Sequence, residues 1–188
     1  MMGWHSLWVG MVCGGLGLVG AARAEEPAPL SICYNYGCRT IAHITLTAKD
    51  RALLAYHLRT ATPIAERQAI RGAIALMNRI AARTTPIAAD RGGNLNDSGD
   101  GRMDCIDHSE NNTTFLRYFA EQGWLRFHWL SHIEWRAPLL LDLHYTATLR
   151  DKQTGKRYAV DDWFFDHGHP AAVIPLATWL NGYSPSND

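Results

Sequence analysis

The octapeptide Gly101-Arg102-Met103-Asp104-Cys105-Ile106-Asp107-His108 sets a cysteine at the expected first turn of a helix. The partial positive charge of a helix N-terminus favours thiolate over thiol. Thiolate is the form that attacks carbonyl carbon. Ahead of Cys105 runs Asp90-Arg91-Gly92-Gly93-Asn94-Leu95-Asn96-Asp97-Ser98-Gly99-Asp100-Gly101, a long stretch of turn formers. Such a loop can wall a substrate cleft, and its N–H groups, with that of Cys105, can form an oxyanion hole.

A cysteine nucleophile needs a base, and the base needs an orienting group. The chain has nine histidines, so position must choose among them. His144 lies in Leu141-Asp142-Leu143-His144-Tyr145-Thr146-Ala147, which reads as a strand. A hairpin through Asp151-Lys152-Gln153-Thr154-Gly155-Lys156 returns it to Tyr158-Ala159-Val160-Asp161-Asp162. A loop of Asp151 to Thr154 sets His144 opposite Asp161. A loop of Lys152 to Gly155 sets His144 opposite Trp163, with Asp161 on the same face. A three-residue loop changes parity and favours Asp162. The preferred set is Cys105, His144 and Asp161. His144 would keep the thiol deprotonated and later protonate a leaving amine.

Other readings compete. Cys105 can be a buried structural cysteine in a non-catalytic binding module. Cys105, His108, His167 and His169 can be zinc ligands of a hydrolase, although H-E-x-x-H and C-x-x-C pairs are absent. Asp107 can simply favour the helix dipole.

The N-terminal residues bear on Cys105. An uncharged, Gly-rich apolar run from Leu7 to Gly20 ends at Ala22-Arg23-Ala24, followed by Glu25-Glu26-Pro27. This reads as a secretory signal covering 1–24, with an uncleaved anchor as the alternative. Val12 before Cys13 suits a lipobox poorly. Cleavage removes Cys13, and Cys33 and Cys38 then most simply form a local disulfide. Their spacing is not that of a redox-active C-x-x-C pair. Cys105 is left unpaired. The expected location is periplasmic or secreted, with no stable membrane insertion after signal removal. A net charge of zero gives no reason to expect nucleic acid. Nothing in the composition sets an oligomeric state.

The elements that must position these residues follow from periodicity. Thr40 to Leu46 alternates as a strand. Thr47 caps a helix bearing Leu53, Leu54 and Leu58, and Thr62-Pro63 opens a second helix. Its stripe is Ile70, Ala73, Ile74, Met77, Ile80 and Ala81. A third helix runs from about Asp104 to Gln122, with Ile106, Phe115, Leu116 and Phe119 on one face. Strands are expected over Trp124 to Trp135, Leu139 to Leu149 and Tyr158 to Phe165, and a last helix over Pro175 to Leu180. Trp124, Trp129 and Trp135 are expected in sheet and core packing. The sequons at Asn111-Asn112-Thr113-Thr114 fall inside the third helix and read as incidental. Helices first and strands after give a single α+β domain over 25–188, with an antiparallel sheet.

Asp104-Cys105-Ile106-Asp107, then His144, then Val160-Asp161 resembles the transglutaminase-like superfamily, and within it the bacterial transglutaminase-like cysteine proteinases. The resemblance covers about residues 100 to 165. His108-Ser109 stands where an aromatic-Ala pair is usual. The resemblance implies a papain/transglutaminase-like core with N-terminal helices packed on the sheet. It implies a thiol-dependent peptidase, amidase or acyltransferase acting on protein or peptide substrates. No cofactor is required, although Asp107 resembles a calcium ligand of those relatives.

Overall fold

A computed structural model describes residues 28–95, 99–137 and 143–185. The expected signal segment, Asp97, Ser98 and the stretch Leu139 to Asp142 lie outside the described residues. The chain is α+β, with four α-helices and two antiparallel sheets among the described residues. No helix among the described residues is long and apolar enough to cross a membrane.

Strands β1 (Leu30–Tyr34) and β2 (Thr40–Ile44) form a hairpin. Helix α1 (Ala48–His57) follows, with Thr47 and Asp50 closing a reciprocal capping box. Leu54 and Leu58 are buried, but Leu53 faces outward. Helix α2 (Pro63–Ala81) starts where Thr62 and Pro63 dictate, and its apolar stripe is wholly buried. Glu66 does more than meet the dipole. It is buried and accepts from the backbone N–H groups of Arg126 and Phe127, and it bonds His128 Nδ1.

Helix α3 (Cys105–Glu121) is central. It packs against β1 on one side and against the larger sheet on the other. That sheet runs in the order β3 (His128–Leu130), β5 (His144–Asp151), β6 (Arg157–Asp161), β7 (Ala172–Pro175), and β4 (Glu134–Arg136) also pairs with β5. Helix α4 (Leu176–Leu180) closes the chain behind Pro175. Ile70, Ile74 and Met77 of α2 meet Phe115, Leu116 and Phe119 of α3 and Leu149 and Val160 of the sheet in one core.

Three departures from the periodicity have local causes. The single strand expected over Trp124 to Trp135 is broken. Glu66 takes the N–H groups of Arg126 and Phe127, so those residues cannot enter the ladder. Between β3 and β4 the register against β5 shifts by one residue, from His128↔Asp151 to Glu134↔Thr146. Trp129 and Trp135 are consequently more than half exposed, at 55% and 58%, rather than packed in the core. Strand β6 ends at Asp161, not Phe165, because the Asp161 carboxylate takes the N–H of Trp163 and turns the chain. Strands β1 and β7 are additions that the periodicity did not mark.

The sequons are not surface features. Asn111 and Asn112 are buried. Asn111 Oδ1 accepts from Cys33 N at 2.7 Å, and its Nδ2 donates to Cys33 O at 2.8 Å, so one side chain satisfies both backbone polar groups of Cys33 in β1. Asn111→Ala leaves those buried groups unpaired and should cost about 2–4 kcal/mol in urea unfolding. The exposed neighbour change Glu110→Ala should stay within about 0.5 kcal/mol. Equal effects of the two changes would show that the Asn111 clasp is not stabilising.

Candidate active site

Asp104 is the N-cap of α3. Its carboxylate accepts from Ile106 N at 3.1 Å and Asp107 N at 3.0 Å, and Asp107 Oδ2 accepts from Asp104 N at 3.1 Å. Cys105 is therefore the first helical residue. The Asp104 cap is spent on the next two N–H groups and leaves that of Cys105 alone. The Cys105 thiol is half-buried and lies 3.8 Å from the Leu143 carbonyl, and the N–H of Tyr145 also bonds the sulfur. The thiol thus rests on the backbone at both sides of His144.

His144 opens β5 and is buried. Its Nε2 is 2.7 Å from Asp161 Oδ2. Asp161 also accepts from Trp179 Nε1 at 2.7 Å and from Trp163 N at 3.1 Å, so it acts as acceptor in each of these contacts. An accepting carboxylate holds the proton on Nε2 and leaves the lone pair on Nδ1. The imidazole is fixed against Trp163, Phe164 and Trp179, with ring centroids 4.7, 5.2 and 5.4 Å away. The hairpin loop is Lys152 to Gly155, with Arg150 opposite Arg157. This is the second of the two registers that put Asp161 on the His144 face. Asp162 bonds a different histidine.

That histidine is His108, one turn after Cys105 and fully enclosed. Its Nδ1 is 2.8 Å from Asp162 Oδ1, and its Nε2 is 3.0 Å from Asp90 Oδ2. Asp162 also accepts from Asn112 Nδ2 at 2.8 Å and Asn78 Nδ2 at 2.7 Å. Asp90 Oδ1 accepts from Met103 N at 2.9 Å and Asn94 Nδ2 at 3.1 Å. Burial opposes a charge on His108, but Asp162 and Asp90 overcome it and hold its ionisation well above the ordinary range. Burial likewise opposes charge on Asp162, and His108, Asn112 and Asn78 more than offset it. Sequence reasoning passed over this network. Its one signal was a run of polar residues inside a helix that needed burial on two sides.

The N-terminal segment closes over the same helix end. Cys33 and Cys38 form a disulfide. Asn35, Tyr36, Gly37 and Cys38 are consecutive left-handed residues, with φ from 53° to 69°. Only Gly37 adopts this backbone freely. The loop is held by Asp107, which accepts from Tyr36 N at 2.8 Å and Cys38 N at 2.6 Å. Burial pushes the Asp107 carboxyl up to about 6. Its oxygens face backbone N–H donors, which does not suit a calcium ligand. Among the described residues, the one convergent group of potential metal ligands is Cys33, Cys38 and Asp107, and its two sulfurs are bonded to each other. Cys105, His108, His167 and His169 do not form such a group.

Gly92, Gly93 and Leu95 of the loop before Cys105 join His144, Trp163, Phe164 and Tyr183 around a cavity of about 480 Å³, which His144 lines but Cys105 and Asp161 do not. Gly92 is required there, because a Cβ would lie 2.4 Å from the Phe164 carbonyl oxygen. Gly93 N donates to Trp163 O at 2.8 Å. A second hollow, of about 450 Å³, lies over the disulfide loop and is bordered by none of Cys105, His144 and Asp161.

The electrostatics around Cys105 run against the expected thiolate. Burial pushes the thiol up, and the charges of Asp104 and Asp161 add to this, against the Tyr145 N–H and His108. The helix dipole is already met by the carboxylates of Asp104 and Asp107. Comparison with known proteins found no match to a family model, to a curated protein or to a solved structure.

In His144→Ala the thiol's own ionisation governs alkylation. The rate with iodoacetamide should still be climbing at pH 9, since the thiol sits above its ordinary value. A plateau below about pH 8.5 would mean that the helix end dominates after all.

Proposed function

We propose that this chain is an exported, thiol-dependent acyl-transfer enzyme with a papain/transglutaminase-like core. Its substrates are proteins or peptides, and it works as a peptidase, an amidase or a transglutaminase-like enzyme. The observation that carries the reading is the buried pair of His144 Nε2 and Asp161 Oδ2 at 2.7 Å, set in the strand whose backbone the Cys105 sulfur touches. A base with its orienting carboxylate, and a thiol resting on the backbone on either side of that base, support this reading.

The chemistry follows from the neutral thiol. As Cys105 sulfur attacks the carbonyl carbon, its proton passes to His144 Nδ1. Asp161 steadies the imidazolium through the Nε2 hydrogen. The oxyanion meets the N–H of Cys105 at the first turn of α3. Collapse expels the amine, which takes the proton from Nδ1, and leaves a thioester on Cys105. Water then gives hydrolysis, and an amine acceptor gives transfer. Trp163 and Phe164 supply apolar walls for the chain that carries the carbonyl. One observation favours a second reading, a module that keeps the fold without turnover: burial holds the thiol in its less reactive form.

Acylation separates the two. With 4-nitrophenyl acetate, the wild type should release nitrophenolate and carry the acetyl group on the peptide containing Cys105. His144→Ala should slow this by about 10²-fold or more, and Asp161→Ala should slow it in the same direction. Acylation no faster than in urea-unfolded protein, and indifferent to His144→Ala, would falsify the enzyme reading.

A further inference from the structure

Cys105, His144 and Asp161 come from three different elements, and backbone pairing alone does not bring them together. The β5–β6 ladder ends at Ala147↔Val160, three residues short of His144. On the other side β6 pairs with β7 only as far as Asp161↔Ala172. Asp161 therefore sits at a strand end, at the first residue of a turn. Something other than the ladder has to hold this end at a fixed distance from α3.

Asp162 is the residue that does so. It is buried beside α3 and is grasped by His108 and Asn112 of α3 and by Asn78 of α2. Asn112 also donates to Val160 O at 3.3 Å, the last residue of the ladder. His108 reaches the other way as well. Through Asp90 it holds the base of the loop that walls the cleft, and Asp90 in turn holds Met103 N, two residues before Cys105. A single imidazole thus spans the approach to the nucleophile, the helix that carries it and the strand end that carries the orienting carboxylate.

The residue type suits the task. Both ring nitrogens lie within hydrogen-bond distance of carboxylates, an arrangement that a doubly donating imidazolium satisfies. Asn or Gln could donate from only one end. Two buried carboxylates facing a neutral group would repel and draw in water. A purely apolar residue would leave both unpaired.

Resting on the reading of Cys105, His144 and Asp161 as the reacting set, we infer that His108 is a positioning residue: its bridge between Asp90 and Asp162 fixes Asp161 against His144 and the cleft loop against Cys105. It touches no reacting atom and acts through the two aspartates.

The test joins a rate to a spectroscopic signature. In ¹⁵N-labelled wild-type protein, His108 should show two protected ring N–H signals, and His144 one strongly hydrogen-bonded Nε2–H. In His108→Gln, shown folded by circular dichroism, acylation of Cys105 by 4-nitrophenyl acetate should fall by about 10²-fold, and the His144 Nε2–H signal should broaden or vanish. A role in the fold alone would leave that signal intact in the folded variant. If His108→Gln does not fold, Asn112→Ala removes one donor to Asp162 and keeps the imidazole, and should weaken both readouts in the same direction, by about tenfold in rate. A wild type that is never acylated sinks the enzyme reading, yet loss of the His144 signal in the variant would still support the positioning role. An unchanged His144 signal in a folded variant, with a rate within twofold of wild type, overturns the inference.

Discussion

Helix α3 carries the candidate nucleophile at its first residue and is enclosed by a hairpin on one side and a sheet on the other. Enclosure on two sides is the constraint that shapes the rest. A helix buried this way should be apolar all round, but Asp107, His108, Ser109, Asn111 and Asn112 are all buried on it. Each such group must then find a partner within the protein. Asp107 finds the disulfide loop, Asn111 finds β1, Asn112 Nδ2 finds Val160 of β6 and Asp162 although its Oδ1 has no hydrogen-bond partner, and His108 finds Asp90 and Asp162. The polar residues are hence the fasteners between layers, and the first turn of α3 is the place where they crowd. Fixing the layers and fixing the site are the same act here.

How much of this was legible in the sequence depended on range. Helix α2 was legible because Thr62, Pro63 and the apolar stripe are local signals that agree. Cys105 near a helix start was legible from the turn-rich run before it and the apolar positions Ile106, Phe115, Leu116 and Phe119 after it. The pairing of His144 with Asp161 was legible to within a choice of hairpin loops, since strand parity limits which carboxylate can face the ring. The His108 bridge was not legible. Its partners are 18 and 54 positions away, and no periodicity links them. The left-handed turn over Asn35 to Cys38 was hidden too, because three of its four residues carry side chains that disfavour that backbone. It persists because the disulfide and Asp107 hold it from both ends. Strand β1 was missed with it, since its exposed and buried positions do not alternate.

The charges around Cys105 run against the expected thiolate. Asp107 was read as favouring the helix dipole. It and Asp104, the N-cap, are also the counter-charge of that helix end. A cap that satisfies the N–H groups of a helix with carboxylates uses up the positive end that an adjacent anion would need. Asp161, placed to orient His144, adds a further negative charge near the sulfur. On the proposed reading, the site trades a preformed thiolate for a well-oriented base.

That trade suits an unpaired thiol in the oxidising compartment that the Cys33–Cys38 disulfide fits. Thiolates are the species that enter disulfide exchange and oxidise to sulfenic acid, so a standing thiolate beside a cleft would be lost to both. On the proposed reading, burial favours the neutral thiol of Cys105, and its proton passes to His144 only when a carbonyl sits where sulfur can bond to it. Reactivity would then be conditional on substrate. The cost is that geometry must be exact at the moment of proton transfer, because no preformed charge compensates for a poorly aimed imidazole. A site of this kind needs rigid support around the base more than a thiolate–imidazolium pair does. The three aromatic rings on His144 and the two carboxylates on His108 are where this chain supplies it.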